Sequence, residues 1–352
     1  MLRHKNRQFN THTGRAALAV LLITAVFFSL SSCKKQDVTR SATIVALDTY
    51  VSLSVTGPQA QEALSAATKK IASLEDTLSR TKEGSEIDLL NHSSEAAPVT
   101  LSSETYTLLQ NTIRLSELSQ GVFDPTIGPV MEVWGFGHDA DPGKVPEEDE
   151  IRTAKEKVDY HRIHLLSDSR AYLEDGVVVD LGGVAKGYIA DVLMSEIRGF
   201  DISRAILDLG GNICAYDKAK ELVIGVISPK DNSKLAATVD LPQGKSGSVI
   251  TSGAYERYHE IDGVRYGHIM DTTTGRPVET DLLSATVISE DGTKGDVMST
   301  VLFAMGRLGA ADFAAKNGIS CILCEENGTM WVSSDLKGKV HEQDGWTIRY
   351  FG

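Results

Sequence analysis

Apolar residues return at Ala60, Ala63, Ala67, Ile71, Leu74 and Leu78, every third or fourth position after Pro58, and this spacing predicts an amphipathic helix reaching about Ser79. A second helix is predicted from about Ser103 to Ser119, with Gly121 in the place of a C-terminal cap. Ahead of them, Thr43 to Val55 alternates between apolar and polar positions and reads as one first strand. Beyond residue 150 the pattern turns strand-rich. Val177 to Asp180 reads as a buried strand running into a helix from about Val184 to Arg198, and further strands are predicted at 205–209, 222–227, 248–252, 260–261 and 284–289. Helices at about 296–305 and 310–317 precede the last strands, at 319–324, 330–333 and 346–350. Strands and helices do not alternate strictly, so the pattern predicts an α+β fold rather than a doubly wound sheet.

The segment 121–137, GVFDPTIGPVMEVWGFG, is dense in Gly, Pro and aromatic residues and is expected to be a structured loop. Residues 138–150 carry six acids and are read as an exposed connection leading into a helix. Residues 1–32 hold four basic side chains and no acid, with an apolar run from Ala16 to Leu30, which is the shape of a secretory signal. It ends in Leu30-Ser-Ser-Cys33, similar to the lipobox in which a Cys is lipidated and becomes the new N-terminus. The expected division is therefore a lipoprotein signal at 1–32, a lipidated tether at 33–42 and one domain at 43–352, held at a membrane and facing the periplasm or exterior.

Composition is ordinary for a globular chain, with 41% hydrophobic and 24% charged residues. The charge adds more. The 352 residues carry 35 Lys and Arg against 48 Asp and Glu, a formal −13, and removal of the four bases in 1–32 leaves −17. Nucleic acid is excluded as a partner on that balance. Cys214, Cys321 and Cys324 are too few and too odd in number for a disulfide framework, and Cys321-Ile-Leu-Cys324 sits in an apolar run and is read as a buried strand rather than a zinc or redox site.

Four constellations can carry chemistry. Asp180-Leu-Gly-Gly-Val-Ala-Lys-Gly-Tyr188 joins a predicted strand to a helix, where glycines admit a bound group, free N–H groups favour a phosphate and Lys186 adds charge. Asp296 and Thr300 share one helix face and offer a carboxylate and a hydroxyl to a hard cation such as Mg²⁺, although helix capping is the commoner reason for an Asp in that place. His268 and Asp271, near Thr251-Ser-Gly253 and ahead of Thr274-Gly-Arg-Pro277, are candidates for proton transfer or for a turn. In the loop 121–137, Phe123 and Trp134 either flank a flat ring or belong to the core.

Taken in order, these motifs resemble the FAD:protein FMN transferase family, the ApbE-like proteins once called thiamine-biosynthesis lipoproteins. The marks are Cys33, Leu47-Asp-Thr49, Ser79-Arg-Thr81 with Ser85-Glu86 and Asn91, Gly121-Val-Phe-Asp-Pro-Thr126, Trp134-Gly-Phe-Gly137, Asp180-Leu-Gly-Gly183, Leu209-Gly-Gly-Asn212, Thr251-Ser-Gly253, His268-Ile-Met-Asp271 and Asp296 with Thr300. The resemblance implies largely antiparallel sheets packed with helices, and transfer of the FMN half of FAD onto a threonine hydroxyl of another exported protein, with release of AMP. It implies Mg²⁺ held by Asp296, Thr300 and a main-chain carbonyl, Gly183 being preferred. Leu47, Thr81, Val122, Phe123, Asp124, Asp180, Lys186 and Met270 are the implied FAD contacts, and the acceptors are implied to be subunits of membrane redox complexes carrying a threonine motif. Asp271 is preferred over His268 as the base. Ser299 stands where some relatives carry a second carboxylate, and Thr81 where some carry Tyr. FAD hydrolysis to FMN and AMP at the same site, and flavin binding without chemistry, are the competing readings.

Overall fold

The computed structural model describes residues 36–137, 144–255, 257–343 and 345–352. The signal at 1–32, Cys33 and the part of the acidic connection at 138–143 lie outside the described residues, and Val38–Gly352 forms one compact unit.

The frame is a nine-stranded sheet whose spatial order is its chain order. Its strands are β1 (Val38–Ala46), β2 (Thr49–Gly57), β3 (Arg204–Leu209), β4 (Asn212–Asp217), β5 (Ser246–Ser252), β6 (Leu282–Ser289), β7 (Ser320–Glu325), β8 (Thr329–Ser333) and β9 (Thr347–Phe351). Neighbours are antiparallel except β8 and β9, which run parallel. The sheet is thus a meander interrupted by insertions, and the insertions hold most of the chemistry-bearing motifs.

Helices are α1 (Ala60–Leu78), α2 (Glu86–Asn91), α3 (Ser103–Leu118), α4 (Gly128–Val133), α5 (Glu148–Lys155), α6 (Ala185–Ile197) and α7 (Gly292–Asn317). Three of them cover one sheet face: α1 lies on β1 and β2, α6 on β3 and β4, and α7 on β5 and β6. Helix α1 buries the six residues of its predicted stripe together with Leu64, and each large apolar side chain so buried contributes about 1.5–3 kcal/mol. The opposite face is covered by a three-stranded sheet, Leu222–Ser228, Asp231–Leu241 and Val340–Glu342, over a second core that includes Val226, Val239, Ile322, Val332 and Trp346. The fold is α+β with largely antiparallel sheets packed against helices, as expected.

Local readings differ in four places. The single strand expected at Thr43–Val55 is the hairpin β1–β2, turning through Leu47 and Asp48 at φ 56° and 57°. Such a turn normally carries Asn or Gly; here Glu75 Oε1 accepts the Leu47 N–H at 2.7 Å and steadies it. Residues 38–42, expected in the tether, pair with Leu53 to Gly57, and hydroxyl pairs such as Thr39–Thr56 and Ser41–Ser54 make an edge strand look like polar linker. Helix α3 ends in a Schellman motif in which Gln120, not Gly121, is the first residue at positive φ, with the Gly121 N–H donated to Ser116 O. Val177–Asp180 joins no sheet: Asn91 bonds both the N–H and C=O of Val179, at 2.8 and 3.0 Å, and Pro125 O accepts the Asp180 N–H.

Helix α7 is long and apolar enough to span a bilayer. It is nonetheless a core helix, packed on β5 and β6 and broken at Gly306 (φ 66°, ψ 171°), where Asp281 caps the restart by accepting the Arg307 N–H at 2.8 Å. The break separates the two helices that the sequence pattern predicts there.

Candidate active site

Helices α6 and α7 meet through two glycines. A Cβ at Gly187 would stand 2.2 Å from Gly292 O, and one at Gly292 would stand 2.9 Å from Gly187 O. That close crossing lets Gly187 donate its N–H to Asp296 Oδ2 at 2.8 Å. Asp296 is 3% exposed, and among the described residues no Lys, Arg or His pairs with it. A buried carboxylate without a counter-cation is costly, and this one has Thr300 on the next turn of the same helix face. One carboxylate, one hydroxyl and the nearby Gly-rich turn form an oxygen donor set of the kind Mg²⁺ takes. No three His, Cys, Asp or Glu side chains converge as a metal cage among the described residues. Ser299 Oγ lies 2.8 Å from Ser252 Oγ and donates to Asp296 O at 2.8 Å, and the Thr300 hydroxyl lies 3.3 Å from the same Ser252 Oγ.

The turn at 182–187 is less open to phosphate than its sequence implies. The Ala185 N–H goes to Leu181 O and the Gly187 N–H to Asp296, while Lys186 Nζ lies 3.4 Å from Gly182 O. At the start of α7, Asp291 accepts the Lys294 N–H, and Asp191 takes the N–H groups of Gly292 and Thr293 and the Thr293 hydroxyl. Burial pushes the Asp191 carboxyl above its usual range, against those bonds.

Asp180 connects this turn to the opposite wall. Its Oδ1 accepts the Gly182 N–H at 2.8 Å and its Oδ2 lies 3.2 Å from Arg80 Nε, while Arg80 also bonds Glu132 at 2.6 Å. Arg80, whose role the sequence reading leaves unassigned, thus joins α1 to α4 and to the Gly-rich turn; its presence in Ser79-Arg-Thr81 was the available signal. Thr81 is exposed beside it, with its N–H 3.3 Å from Ser79 Oγ. Leu47 stands at the β1–β2 turn, where Thr49 fills the space a Cβ at Gly210 would need, so two of the sequence marks, Leu47-Asp-Thr49 and Leu209-Gly-Gly-Asn212, touch.

The loop 121–137 is partly helical, containing α4, and is knotted to its neighbours. Phe123 is buried with its ring over Gly183, where a Cβ would come within 2.9 Å of it. Val122 is half-buried beside it. The Asp124 carboxylate accepts from the Thr126 N–H and hydroxyl and from the Tyr160 N–H, at 2.8, 2.6 and 2.9 Å, so it shapes the loop rather than standing free. Burial raises its carboxyl while those bonds oppose the rise. Thr272 Oγ1 donates to Gly121 O at 2.7 Å and Trp134 Nε1 to Gly275 O at 2.8 Å, which fastens the segment 268–277 onto this loop. Met270 is buried with Val130, Trp134 and Phe136.

His268 and Asp271 have different surroundings. The Asp271 carboxylate accepts the Thr273 and Thr274 N–H groups, at 2.7 and 3.3 Å, in a local turn. His268 Nδ1 lies 3.0 Å from Arg257 O; a carbonyl only accepts, so Nδ1 carries the proton and Nε2 keeps its lone pair. Burial, helped by the charges of Lys186 and Arg257, brings its pKa down to about 4 against the raising effect of the Arg257 bond. Neutral imidazole with a free Nε2 is the form a general base requires. Cys214, Cys321 and Cys324 are free and buried, as the sequence pattern predicts for the last two.

The fold and this convergence of a Gly-rich turn, a buried carboxylate and a neutral histidine define an enzyme built on an α+β meander. Comparison with known proteins agrees. The ApbE family model matches residues 47–323. The FAD:protein FMN transferase of Treponema pallidum is 32% identical over 250 residues, 66% of this chain and 68% of that protein, and one from Klebsiella pneumoniae is 32% identical over 272 residues, 74% and 81%. The ApbE protein of Thermotoga maritima superposes with a TM-score of 0.79 at 31% identity, over 87% of this chain and all of its own. The chain belongs to the ApbE family.

Proposed function

We propose that the protein is a Mg²⁺-dependent FAD:protein FMN transferase. The observation that carries the proposal is Asp296, a buried carboxylate with no counter-cation among the described residues, set against a Gly-rich turn one helical turn from Thr300. Asp296, Thr300 and a main-chain carbonyl, Gly183 being the preferred one, would hold Mg²⁺. When bound, the cation supplies charge neutralisation at the pyrophosphate. FAD is the substrate, with Phe123, Val122, Met270, Leu47, Thr81, Asp124, Asp180 and Lys186 as the wall it meets; from Asp124 the backbone rather than the carboxylate is offered. His268, with its open Nε2, accepts the proton of the acceptor threonine hydroxyl. The threonine oxygen forms a bond to the phosphorus of the FMN half, the P–O bond to AMP breaks, and AMP leaves with its phosphate charged. Asp271 serves the site by shaping the turn after His268.

The acceptor is an exported protein or membrane redox subunit with a threonine motif. Residues 1–32 act as a lipoprotein signal, and lipid on Cys33 holds the domain at the inner membrane, facing the periplasm. Full-length protein in detergent, incubated with FAD, Mg²⁺ and such an acceptor, should give a covalently fluorescent acceptor band that EDTA and Asp296→Asn both abolish. FAD binding without a band from any of several acceptors, and without AMP release, would leave only a flavin carrier. AMP release equal with and without acceptor would make it a hydrolase.

A further inference from the structure

Of the residues that set the state of His268, Phe136 belongs to Trp134-Gly-Phe-Gly137, while Arg257 and His259 lie outside the motifs discussed so far. Tyr258–Ile261 and Val264–Gly267 form a two-stranded hairpin that joins no larger sheet, turning at Asp262 and Gly263 with φ of 52° and 78°. Its base carries Arg257, whose carbonyl receives both the N–H and the Nδ1–H of His268, at 3.1 and 3.0 Å. A hairpin with mostly exposed or half-buried residues has little core of its own to fix where that carbonyl points.

What fixes it is the loop Trp134–Gly137. His259 stacks on Phe136, with ring centroids 4.2 Å apart and planes 18° from parallel, and its Nε2 lies 2.9 Å from Gly135 O. The Arg257 guanidinium lies over the same Phe136 ring at 5.8 Å, and its Nη2 is 3.4 Å from Phe136 O. His268 presents itself edge-on to that ring, at 6.3 Å and 61°. Tyr266, paired with His259 across the hairpin, leans on Trp134 at 5.4 Å. One buried phenyl ring therefore meets His259, Arg257 and His268 together, while the carbonyl between them chooses the His268 tautomer.

We infer that His259 and Phe136 are positioning residues, which hold the Arg257 carbonyl against His268 Nδ1 and so keep the His268 Nε2 lone pair directed into the site. The inference rests on the reading of His268 as base. The charged and titratable groups facing His268 are Lys186 from α6 and Arg257 from the hairpin, with His259 across the Phe136 ring and Asp271 three residues along its own segment. Neither His259 nor Phe136 touches the reacting atoms. Their loss frees the hairpin, opens the half-buried imidazole further to water and allows Nδ1 and Nε2 to share the proton.

The test uses the full chain with ¹⁵N-labelled histidine. In His259→Ala, and separately in Phe136→Leu, the His268 ring signals should move from the single Nδ1–H pattern to a tautomer mixture. The acid limb of the kcat–pH profile should move upward from about 4 toward 6.5, and kcat should fall roughly tenfold to a hundredfold with the KM for FAD nearly unchanged. His259→Phe, which keeps the stack and loses only the bond to Gly135, should restore most of kcat and covers the event that the Ala variant fails to fold. Unchanged His268 ring signals and an unchanged acid limb in folded Ala and Leu variants would overturn the inference. A separate result, full activity in His268→Gln, would remove His268 as base and yet leave the tautomer measurement to decide whether His259 and Phe136 position it.

Discussion

The α6–α7 crossing gives a sharp prediction for Gly187→Ala. Two effects compete. Alanine favours a helix over glycine by about 1 kcal/mol, but its Cβ would sit 2.2 Å from Gly292 O and 2.7 Å from Asp296 Cβ. The first of these is backbone, so no rotamer change relieves the clash, and the helices must part by about 1 Å to regain ordinary contact. Overpacking of this kind costs about 1–3 kcal/mol, here at the upper end, which leaves a net loss of roughly 2 kcal/mol. For a domain of this size that is a fall in melting temperature of about 4 °C. The effect on function should be larger, because the same shift withdraws Asp296 from the Gly187 N–H, and a displacement of about 1 Å in a catalytic constellation can cost a hundredfold in rate. Differential scanning calorimetry and the acceptor-fluorescence assay read the two effects on one preparation. A variant that melts within about 1 °C of the parent and transfers flavin at the parental rate would show that the close crossing does not hold the site.

Three further outcomes follow from separate contacts. Asn91→Ala should destabilise the fold by about 1–3 kcal/mol for each group orphaned on Val179, seen as a lower urea midpoint; an unchanged midpoint would mean the Asn91–Val179 pair is dispensable. Because His268 titrates at about 4 rather than 6.5, the unfolded chain binds its proton first. Stability should therefore decline as pH falls through that window, and the transfer rate should hold to well below pH 6.5; an acid limb at 6.5 would contradict the neutral imidazole. Burial pushes the Cys321 and Cys324 thiols up to about 12 and that of Cys214 to about 11, so iodoacetamide at pH 8 should alkylate these three only after unfolding, and rapid native labelling by intact mass would refute their inertness.

What could be read from the chain tracks the range of the interactions involved. Helix α1 was legible because its burial stripe is local and periodic, and the break in α7 because the apolar pattern itself lapses around Gly306. The β1–β2 turn was not, since Leu47 and Asp48 adopt positive φ without the Gly or Asn that marks such turns, and a side chain 28 residues away supplies the restraint. The strand Asp231–Leu241 was hidden by its run of exposed polar residues at the start, and α2 by its six-residue length. The same holds in the site. Asp180 and Asp296 stand out as candidates by residue type and neighbouring glycines, while Arg80 and Asn91, marked only by their place in the motifs, act across about a hundred and 88 residues of chain, a range at which no local pattern names the partner. Asp124 shows the converse: the motif marks it as a candidate flavin contact, and the structure shows its carboxylate spent on Thr126 and Tyr160.

The distribution of charge limits how an anionic dinucleotide can be held in the proposed reaction. The chain carries a formal −13, so approach is opposed at long range and the attraction has to be local. The candidates for it are fewer than the sequence implies. Arg80 is engaged by Asp180 and Glu132, Arg257 lies over Phe136, and the positive end of α7 is already met by Asp191 and Asp291. At α6, two of the first backbone donors are taken by Leu181 O and Asp296. Lys186 remains, and it also bears on His268, which it helps to keep neutral. A pyrophosphate placed against Asp296 without a cation would bring like charges together at a buried carboxylate, a strongly unfavourable arrangement. In the proposed reaction the protein's own groups would thus favour binding of substrate and divalent cation as a pair over binding of either alone, and affinity for FAD and affinity for Mg²⁺ would be two measures of one coupling.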